Sequence, residues 1–216
     1  MLACLFDLDG VIVDTAKYHF LAWKRLASAW NFDLTEEQNE HLKGVSRTES
    51  LEIILKLAHH TLSKEAFEEA LQIKNEWFLD FVNEMNENEI LEGVTDFLHL
   101  LKQNKIVFSL ASSSKNAKNI LQKIGLFEQF DAIVDGNDII NSKPDPEIFE
   151  KAAKKLNTDT KKCIVFEDAV AGVEAGKRAG MKVIGIGDKE VLKEADIVVK
   201  NLKELTIKDL ENLLSK

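Results

Sequence analysis

The chain is poor in cysteine and proline, and the scarcity of cysteine argues against a disulfide-rich protein. Only two cysteines, two prolines and one tyrosine occur among 216 residues. Cys4 and Cys163 both lie inside apolar runs, where cysteine usually behaves as a small hydrophobic residue. We therefore expect neither a disulfide nor a cysteine metal site, which is typical of a reducing cytoplasm.

Long apolar runs and clustered basic residues are also missing. No stretch approaches the roughly 20 apolar residues that cross a bilayer. No basic residue precedes the first apolar stretch, so a secretory signal is not predicted. The net charge of −9 argues against a nucleic-acid binder, because phosphate backbones are held by clustered Lys and Arg. We expect a monomer without nucleic-acid or membrane partners. The negative charge does not exclude a small phosphorylated ligand, which needs only a few cations in one pocket.

What is present is an alternation of short apolar runs with helical patterns. A chain of this length, with 45% hydrophobic residues, is able to bury a core without disulfides or structural metal ions. Strands are predicted at residues 2–6, 106–111, 163–166, 183–186 and 197–199, with 132–134 as an edge strand. Helices are predicted at residues 95–104, 116–124, 148–156 and 169–179. Buried strands alternating with helices predict an α/β fold with a doubly wound parallel sheet.

Residues 16–88 differ, because they contain no convincing strand. Amphipathic helices are predicted there at residues 18–30, 35–42, 47–58 and 64–85. We therefore predict a core domain of residues 1–15 and 89–216, interrupted by an all-α cap domain of residues 16–88. Such an insert forms a natural lid, since the crevice of an open parallel sheet lies at the carboxyl ends of its strands.

Capping signals mark several helix starts. Asp145 before Pro146 predicts an N-cap followed by proline at the first helical position. Capping boxes are expected at Thr35 with Gln38, Ser46 with Glu49, and Thr206 with Asp209.

Two carboxylates, Asp7 and Asp9, directly follow the first predicted strand. A turn explains Asp9 beside Gly10, but an unpaired carboxylate at the end of a buried strand is expensive. Asp7 is therefore predicted to be functional.

Three further polar motifs follow later strands. They are Ser112, Lys143 within Ser142-Lys143-Pro144, and the pair Glu167-Asp168. Alone, Ser112 is typical of a turn and Lys143 of a solvated loop. Together with Asp7-x-Asp9-Gly10-Val11, and in this order, they resemble the haloacid dehalogenase superfamily of phosphotransferases.

The resemblance implies a mechanism and a metal. Asp7 is the nucleophile that forms an aspartyl phosphate, and Asp9 is the general acid and base. Ser112 and Lys143 hold the transferring phosphoryl oxygens. One Mg²⁺ per chain is bound by Asp7, the backbone carbonyl of Asp9 and Asp168, with Glu167 beside or behind them.

The helical insert resembles the β-phosphoglucomutase members of this superfamily. The similarity lies in residues 15–23, 42–51 and 74–75, and in residues 111–116 of the core. These enzymes interconvert β-glucose 1-phosphate and glucose 6-phosphate through a bound glucose 1,6-bisphosphate. The resemblance implies the same activity here, with a small phosphorylated sugar as substrate and the bisphosphate as activator.

The resemblance also assigns residues of the cap and the core to the site. Thr15 and His19 join the catalytic set, His19 helping to position Asp9 as the cap closes. The substrate-binding set is Trp23, Lys43, Gly44, Val45, Ser46, Arg47, Ser50, Lys74, Ser113, Ser114, Lys115 and Asn116. Ser113 stands where alanine is usual, which leaves its backbone N–H available, and Ala169 stands where serine is common.

Several of these residues have plainer interpretations. His19 and Trp23 are spaced i,i+4, which is more often core packing, and packing is the ordinary role of Trp23. Lys74 on a long polar helix is typical of a solvated lysine. A positive charge at a helix N-terminus is unfavourable to the helix dipole. This mismatch at Arg47 favours a ligand-binding role. We predict a second phosphate site there, formed by the Arg47 guanidinium, the helix N-terminus and residues 114–116.

Two other functions use the same residues. A sugar-phosphate phosphatase of the same superfamily lets water attack the aspartyl phosphate and needs no second phosphate site. A non-catalytic phosphosugar-binding module, or a receiver-like signalling domain, needs no helical lid. The second phosphate site therefore favours the mutase.

Overall fold

The computed structural model describes residues 2–42 and 44–215, and its centre is a six-stranded parallel sheet. Its strands are β1 (Ala3–Phe6), β2 (Val107–Ala111), β3 (Ala132–Val134), β4 (Cys163–Glu167), β5 (Lys182–Ile186) and β6 (Ile197–Val199). The strand order is β3-β2-β1-β4-β5-β6, with every pairing parallel. The predicted parallel sheet is confirmed, with β3 at one edge.

Strand β1 lies at the centre and aligns the ends of its neighbours. All four of its residues are fully buried. Phe6 is in register with Leu110 of β2 on one side and with Phe166 of β4 on the other. The residues that follow β1, β2 and β4 therefore meet at one edge of the sheet.

Helices cover both faces of the sheet. The core helices are α5 (Val94–Gln103), α6 (Ala117–Lys123), α7 (Glu147–Lys155), α8 (Val170–Arg178) and α9 (Ile207–Leu214). Residues of α5, α6 and α9 pack on one face around an aromatic cluster that includes Phe6, Phe97 and Phe166. Residues of α7 and α8 pack on the other face, against Leu5 and Val165. This layering is doubly wound.

The helical insert lies between β1 and β2. It contains α1 (Ala16–Ser28), α2 (Glu36–Glu40), α3 (Arg47–Leu57) and α4 (Lys64–Glu84). These helices share an apolar cluster of their own, which includes Trp23, Leu34 and Leu51. Where residues 16–88 are described, the backbone contains no strand. The domain boundaries at residues 16 and 88 stay a prediction.

The two linkers of the insert run side by side. Val13 and Ile90 form an antiparallel bridge, and the Leu91 N–H donates to the Ile12 carbonyl over 3.0 Å. Glu89 accepts hydrogen bonds from Lys17 Nζ and Tyr18 OH, both over 2.8 Å. These bonds hold the two linkers together next to β1.

The capping predictions are confirmed at Thr35, Ser46 and Thr206, each of which forms a capping box. The prediction at Asp145 is wrong by one residue. Pro146 is the N-cap of α7, because its carbonyl accepts the first helical bond, from the Glu150 N–H over 3.1 Å. The Asp145 carboxylate still accepts from the Glu147 N–H over 3.0 Å.

Within residues 2–42 and 44–215, no helix combines the length and the apolar composition that a bilayer crossing requires.

Candidate active site

A cleft of about 1210 Å³ lies between the carboxyl edge of the sheet and the helical insert. Most of the predicted site residues line it. They are Asp7, Asp9, His19, Trp23, Gly44, Val45, Ser46, Arg47, Ser50, Lys74, Ser112, Ser113, Ser114, Lys115, Asn116 and Asp168. Thr15, Lys143 and Glu167 are fully buried, while Lys43 lies outside the described residues.

Lys143 lies beneath the floor of the cleft and bridges two carboxylates. Its Nζ is 2.5 Å from Asp7 Oδ1 and 2.5 Å from Glu167 Oε1, and it donates to the Ala111 carbonyl over 3.2 Å. Burial lowers the pKa of Lys143, but the charges of Asp7 and Glu167 outweigh it and raise the pKa overall. The ammonium therefore stays charged and orients the Asp7 carboxylate. Its predicted contact with phosphoryl oxygens stays a prediction.

Three carboxylates form a cluster suited to a metal ion. Asp7, Glu167 and Asp168 each offer an oxygen, and these atoms lie within 4.8 Å of one another. Burial raises the pKa of Glu167 to about 7, against the opposing charge of Lys143. Carboxylate oxygens are the ligands that Mg²⁺ prefers. The predicted contribution of the Asp9 backbone carbonyl stays a prediction.

The backbone is shaped to leave room for these carboxylates. A Cβ atom at Gly10 would lie 2.0 Å from Asp168 Oδ2, and one at Gly172 would lie 1.9 Å from Glu167 Oε1. Glu167 is further held by the Ala169 N–H, which donates to Oε2 over 3.1 Å. The residues present therefore fit a Mg²⁺ ion.

We expect Gly172→Ala to weaken Mg²⁺ binding by about 10- to 100-fold, the range seen when groups that orient metal ligands are changed. Alanine suits the helical backbone of α8, so the main consequence is a clash with the Glu167 carboxylate. Calorimetric titration with Mg²⁺ measures the effect.

Gly176→Ala is the matched control in the same helix. Its added methyl would lie 2.8 Å from Val183 Cγ2, so the apolar core is disturbed and the melting temperature falls. Mg²⁺ affinity should survive in this control. Equal loss of affinity in both variants would show that Gly172 has no specific effect on the carboxylates.

Asp9 lies beside the cluster with an unusual carboxyl group. Burial and the charge of Asp7 raise its pKa to about 8, against the opposing charges of Lys143 and Lys74. A carboxyl group that holds its proton near neutral pH is able to act as a general acid.

Two buried oxygens near the linker have no hydrogen-bond partner among the described residues. They are Asp9 Oδ1 and the Thr15 hydroxyl, and Thr15 is fully buried. Unpartnered buried polar atoms are rare in folded proteins. Asp9 also lines the cleft, so its oxygen is a candidate for a contact that a bound ligand supplies.

The insert presents cations to the same cleft. Lys74 is only 1% exposed, and its Nζ lies 2.7 Å from His19 Nδ1 and 4.7 Å from the centre of the Trp23 ring. The solvated lysine expected from the polar helix is therefore wrong. Burial and the charge of Arg47 hold the pKa of Lys74 well below its ordinary value, and burial also lowers the pKa of Arg47. An anionic ligand between these two desolvated basic groups would favour their charged forms.

We expect the free energy of unfolding of the ligand-free protein to fall as the pH drops below about 6.5, partly because of His19. Burial and the charges of Lys74 and Arg47 hold the pKa of His19 well below its ordinary value. The folded state therefore keeps a neutral imidazole while the unfolded chain takes up a proton. The stabilisation that His19 contributes is complete at pH values above its pKa in the unfolded chain. It is lost as the pH falls toward the lower pKa that His19 has in the folded protein. Urea unfolding at two pH values measures it.

His19→Gln is the comparison for this pH effect, because glutamine offers Lys74 an acceptor but does not titrate. Its stability should decline less than that of the parent protein on acidification. Identical declines would contradict the assignment to His19.

Sequence reasoning missed three residues of the site. Asn75 accepts a hydrogen bond from Asn116 Nδ2 over 2.9 Å, and Asn39 is buried at the cleft wall. Gly172 makes room for Glu167. Two of them carried a sequence signal, since Asn75 lies within the resemblance at residues 74–75 and Gly172 is a glycine among the small residues that follow Asp168. Trp23 is 2% exposed and belongs to the apolar cluster of the insert, as its packing interpretation predicted.

Comparisons with known proteins place this geometry in a family. Residues 4–186 match the family described as haloacid dehalogenase-like hydrolase. A β-phosphoglucomutase of Bacillus subtilis is 41% identical over 96% of this chain and 92% of its own length. A phosphorylated carbohydrates phosphatase of Thermotoga maritima is 34% identical over 92% of this chain and 93% of its own length.

A solved structure is similar over the whole chain. The crystal structure of a β-phosphoglucomutase from Clostridium difficile has a TM-score of 0.95 and 40% identity, covering 100% of this chain and 98% of that one. The resemblance predicted from the motifs is confirmed: the chain belongs to the haloacid dehalogenase-like hydrolase family.

Proposed function

We propose that this protein is a β-phosphoglucomutase, which interconverts β-D-glucose 1-phosphate and glucose 6-phosphate. The observation that carries the proposal is that one cleft contains both the Asp7–Asp9 pair of the core and the Arg47 guanidinium of the helical insert. A mutase must hold a bisphosphate at both ends, whereas a hydrolase needs to hold only one. Similarity to two β-phosphoglucomutases, at 41% and 40% identity, supports the same activity.

The first half-reaction phosphorylates the substrate. The phosphoryl group on Asp7 is transferred to the free hydroxyl of β-glucose 1-phosphate, so that the Asp7–phosphorus bond breaks as the new oxygen–phosphorus bond forms. Asp9 removes the hydroxyl proton. The product is glucose 1,6-bisphosphate, which also acts as the activator when it is supplied from outside.

The second half-reaction restores the enzyme. The bisphosphate turns round in the cleft, and Asp7 takes the phosphoryl group from the anomeric oxygen. Asp9 returns the proton to that leaving oxygen, and glucose 6-phosphate departs. The raised pKa of Asp9, about 8, suits a group that must carry this proton near neutral pH.

The remaining groups hold and shield the phosphates. In this proposal Ser112 contacts the transferring phosphoryl group, while Arg47 and residues 114–116 bind the distal phosphate. When Mg²⁺ is bound at the carboxylate cluster, it neutralises charge on the transferring group. Closure of the helical insert excludes water, which suppresses hydrolysis of the aspartyl phosphate.

The proposal extends to the setting of the enzyme. Cys4 and Cys163 are both free and buried, as is usual in a reducing compartment. We place the enzyme in the cytoplasm as a monomer.

A sugar-phosphate phosphatase is the second candidate, favoured by the 34% identity to the Thermotoga maritima phosphatase. It would use Asp7 and Asp9 in the same way and let water attack the phosphoenzyme. The mutase ranks first, because a phosphatase that holds one phosphate has no need of a second phosphate site at Arg47.

A paired assay separates the two candidates. The purified protein, with Mg²⁺ and β-glucose 1-phosphate, is followed with and without trace glucose 1,6-bisphosphate, measuring glucose 6-phosphate and inorganic phosphate together. The mutase predicts glucose 6-phosphate that forms faster with the bisphosphate, with little free phosphate. Stoichiometric free phosphate without isomerisation would establish the phosphatase instead.

A further inference from the structure

A side-chain hydrogen bond connects the loop after β2 to the loop before α3. Ser113 Oγ donates to the Gly44 carbonyl over 3.2 Å. The donor belongs to the core and the acceptor to the helical insert, 69 residues earlier in the chain. The bond therefore joins the two parts of the protein at residues that line the cleft.

The Ser113 side of this bond is firmly placed. The Gly136 N–H donates to the Ser114 carbonyl over 3.2 Å, and the Ser114 N–H donates to Ser112 Oγ over 3.2 Å. A Cβ atom at Gly136 would lie only 2.3 Å from the Ser113 carbonyl oxygen, so the two backbone segments are in close contact. The Ser113 hydroxyl is thus presented from a fixed backbone.

The Gly44 side is seated against a second part of the core. Gly44 has a φ of +75°, and a Cβ atom there would lie 3.0 Å from Ala169 Cβ. Residues 44–47, here called the Arg47 loop, therefore begin between Ser113 on one side and Ala169 on the other. Ala169 directly follows the metal-ligand candidate Asp168, so the loop rests next to the catalytic carboxylates.

The Arg47 loop is short and stiff. Ser46 is the N-cap of α3, its N–H and its hydroxyl both donate to Glu49 Oε2, and Ser50 Oγ donates to its carbonyl over 2.9 Å. Arg47 is the first residue of the helix. A displacement of Gly44 is therefore carried directly to Arg47.

We propose that Ser113 is a positioning residue: its hydroxyl holds the Arg47 loop against the core and so sets the distance between Arg47 and Asp7. The part of this inference that concerns activity rests on the proposed mutase function. One neutral hydrogen bond is weak enough to open whenever the bisphosphate must turn. While it is closed, the loop covers the cleft and limits the access of water to the phosphoenzyme.

The test compares Ser113→Ala with Ser113→Thr, which restores the hydroxyl. Ser28→Ala is the matched control, because Ser28 Oγ donates only within α1, to the Arg25 carbonyl. In Ser113→Ala we expect amide hydrogen exchange of residues 44–50 to rise by about 2- to 10-fold, the range of one neutral hydrogen bond. Residues 51–57, in the remainder of α3, should exchange as before.

Activity supplies the second readout. We expect Ser113→Ala to raise KM for the bisphosphate more than it lowers kcat, and to increase the fraction of turnovers that end in inorganic phosphate by about 2- to 10-fold. Ser113→Thr should move both quantities back toward those of the parent protein.

Two results would overturn the proposal. One is unchanged exchange of residues 44–50 in Ser113→Ala together with an unchanged product ratio. The other is a general rise in exchange across the insert that Ser113→Thr fails to reverse. Because exchange is measured without turnover, it tests the contact even if the parent protein proves to be a phosphatase, so the two failures are distinguishable.

Discussion

Asp7→Asn is expected to lower turnover by at least about 10³-fold, because it removes the attacking carboxylate oxygen. Asp7 is 5% exposed at the end of the central strand, and Lys143 orients it over 2.5 Å. Asparagine keeps the shape of the side chain but not its nucleophilic charge. Steady-state assays of glucose 6-phosphate formation measure the loss, and circular dichroism establishes that the variant is folded.

Asp14→Asn is the control for this loss. Asp14 is an exposed carboxylate in the linker that follows β1, and it is absent from the cleft lining. The control should keep most of the parent activity. Normal turnover in Asp7→Asn would refute the assignment of the nucleophile.

Arg47→Ala is expected to lower mutase turnover by about 30-fold or more, the scale of truncating one partner of a buried charge pair. Hydrolysis of p-nitrophenyl phosphate, which carries one phosphate only, should fall far less. The reason is that Arg47 belongs to the helical insert, whereas the Asp7 carboxylate that receives the phosphoryl group belongs to the core. The ratio of the two rates is the measured quantity.

Arg25→Ala is the matched control for charge and length. The Arg25 guanidinium lies 3.9 Å from the centre of the Trp77 ring, and Arg25 does not line the cleft. It should change neither rate by much. Equal losses of both activities in Arg47→Ala would count against a second phosphate site.

The arrangement of the core was predictable because local sequence determines it. Short apolar runs such as residues 163–166 have room only for strands, and strands buried on both faces require a parallel sheet. Once β1, β2 and β4 are neighbours, the residues that follow them must share an edge. Asp7, Ser112 and Asp168 therefore meet, as their positions after strands predicted.

The details that escaped the sequence depend on long-range packing. Nothing near Lys74 indicates that Trp23 and His19 of α1 contact it, since those contacts form only when α1 and α4 pack together. Asn75 and Asn116 are 41 residues apart and meet across the cleft. The contacts of Lys143 with Asp7 and Glu167 depend on the course of the loop between β3 and α7.

The central claim is that the phosphoryl group passes through Asp7 and therefore moves between sugar molecules. The most direct measurement mixes β-glucose 1-phosphate whose phosphate carries ¹⁸O with β-glucose 1-phosphate whose sugar carries ¹³C. Unlabelled glucose 1,6-bisphosphate is added in trace amounts to start turnover, and mass spectrometry of the glucose 6-phosphate reports the pairing of the labels. The account predicts product in which ¹⁸O-phosphate is attached to ¹³C-sugar. Glucose 6-phosphate whose labels remain in their original pairs would contradict it, as would release of all the ¹⁸O as inorganic phosphate.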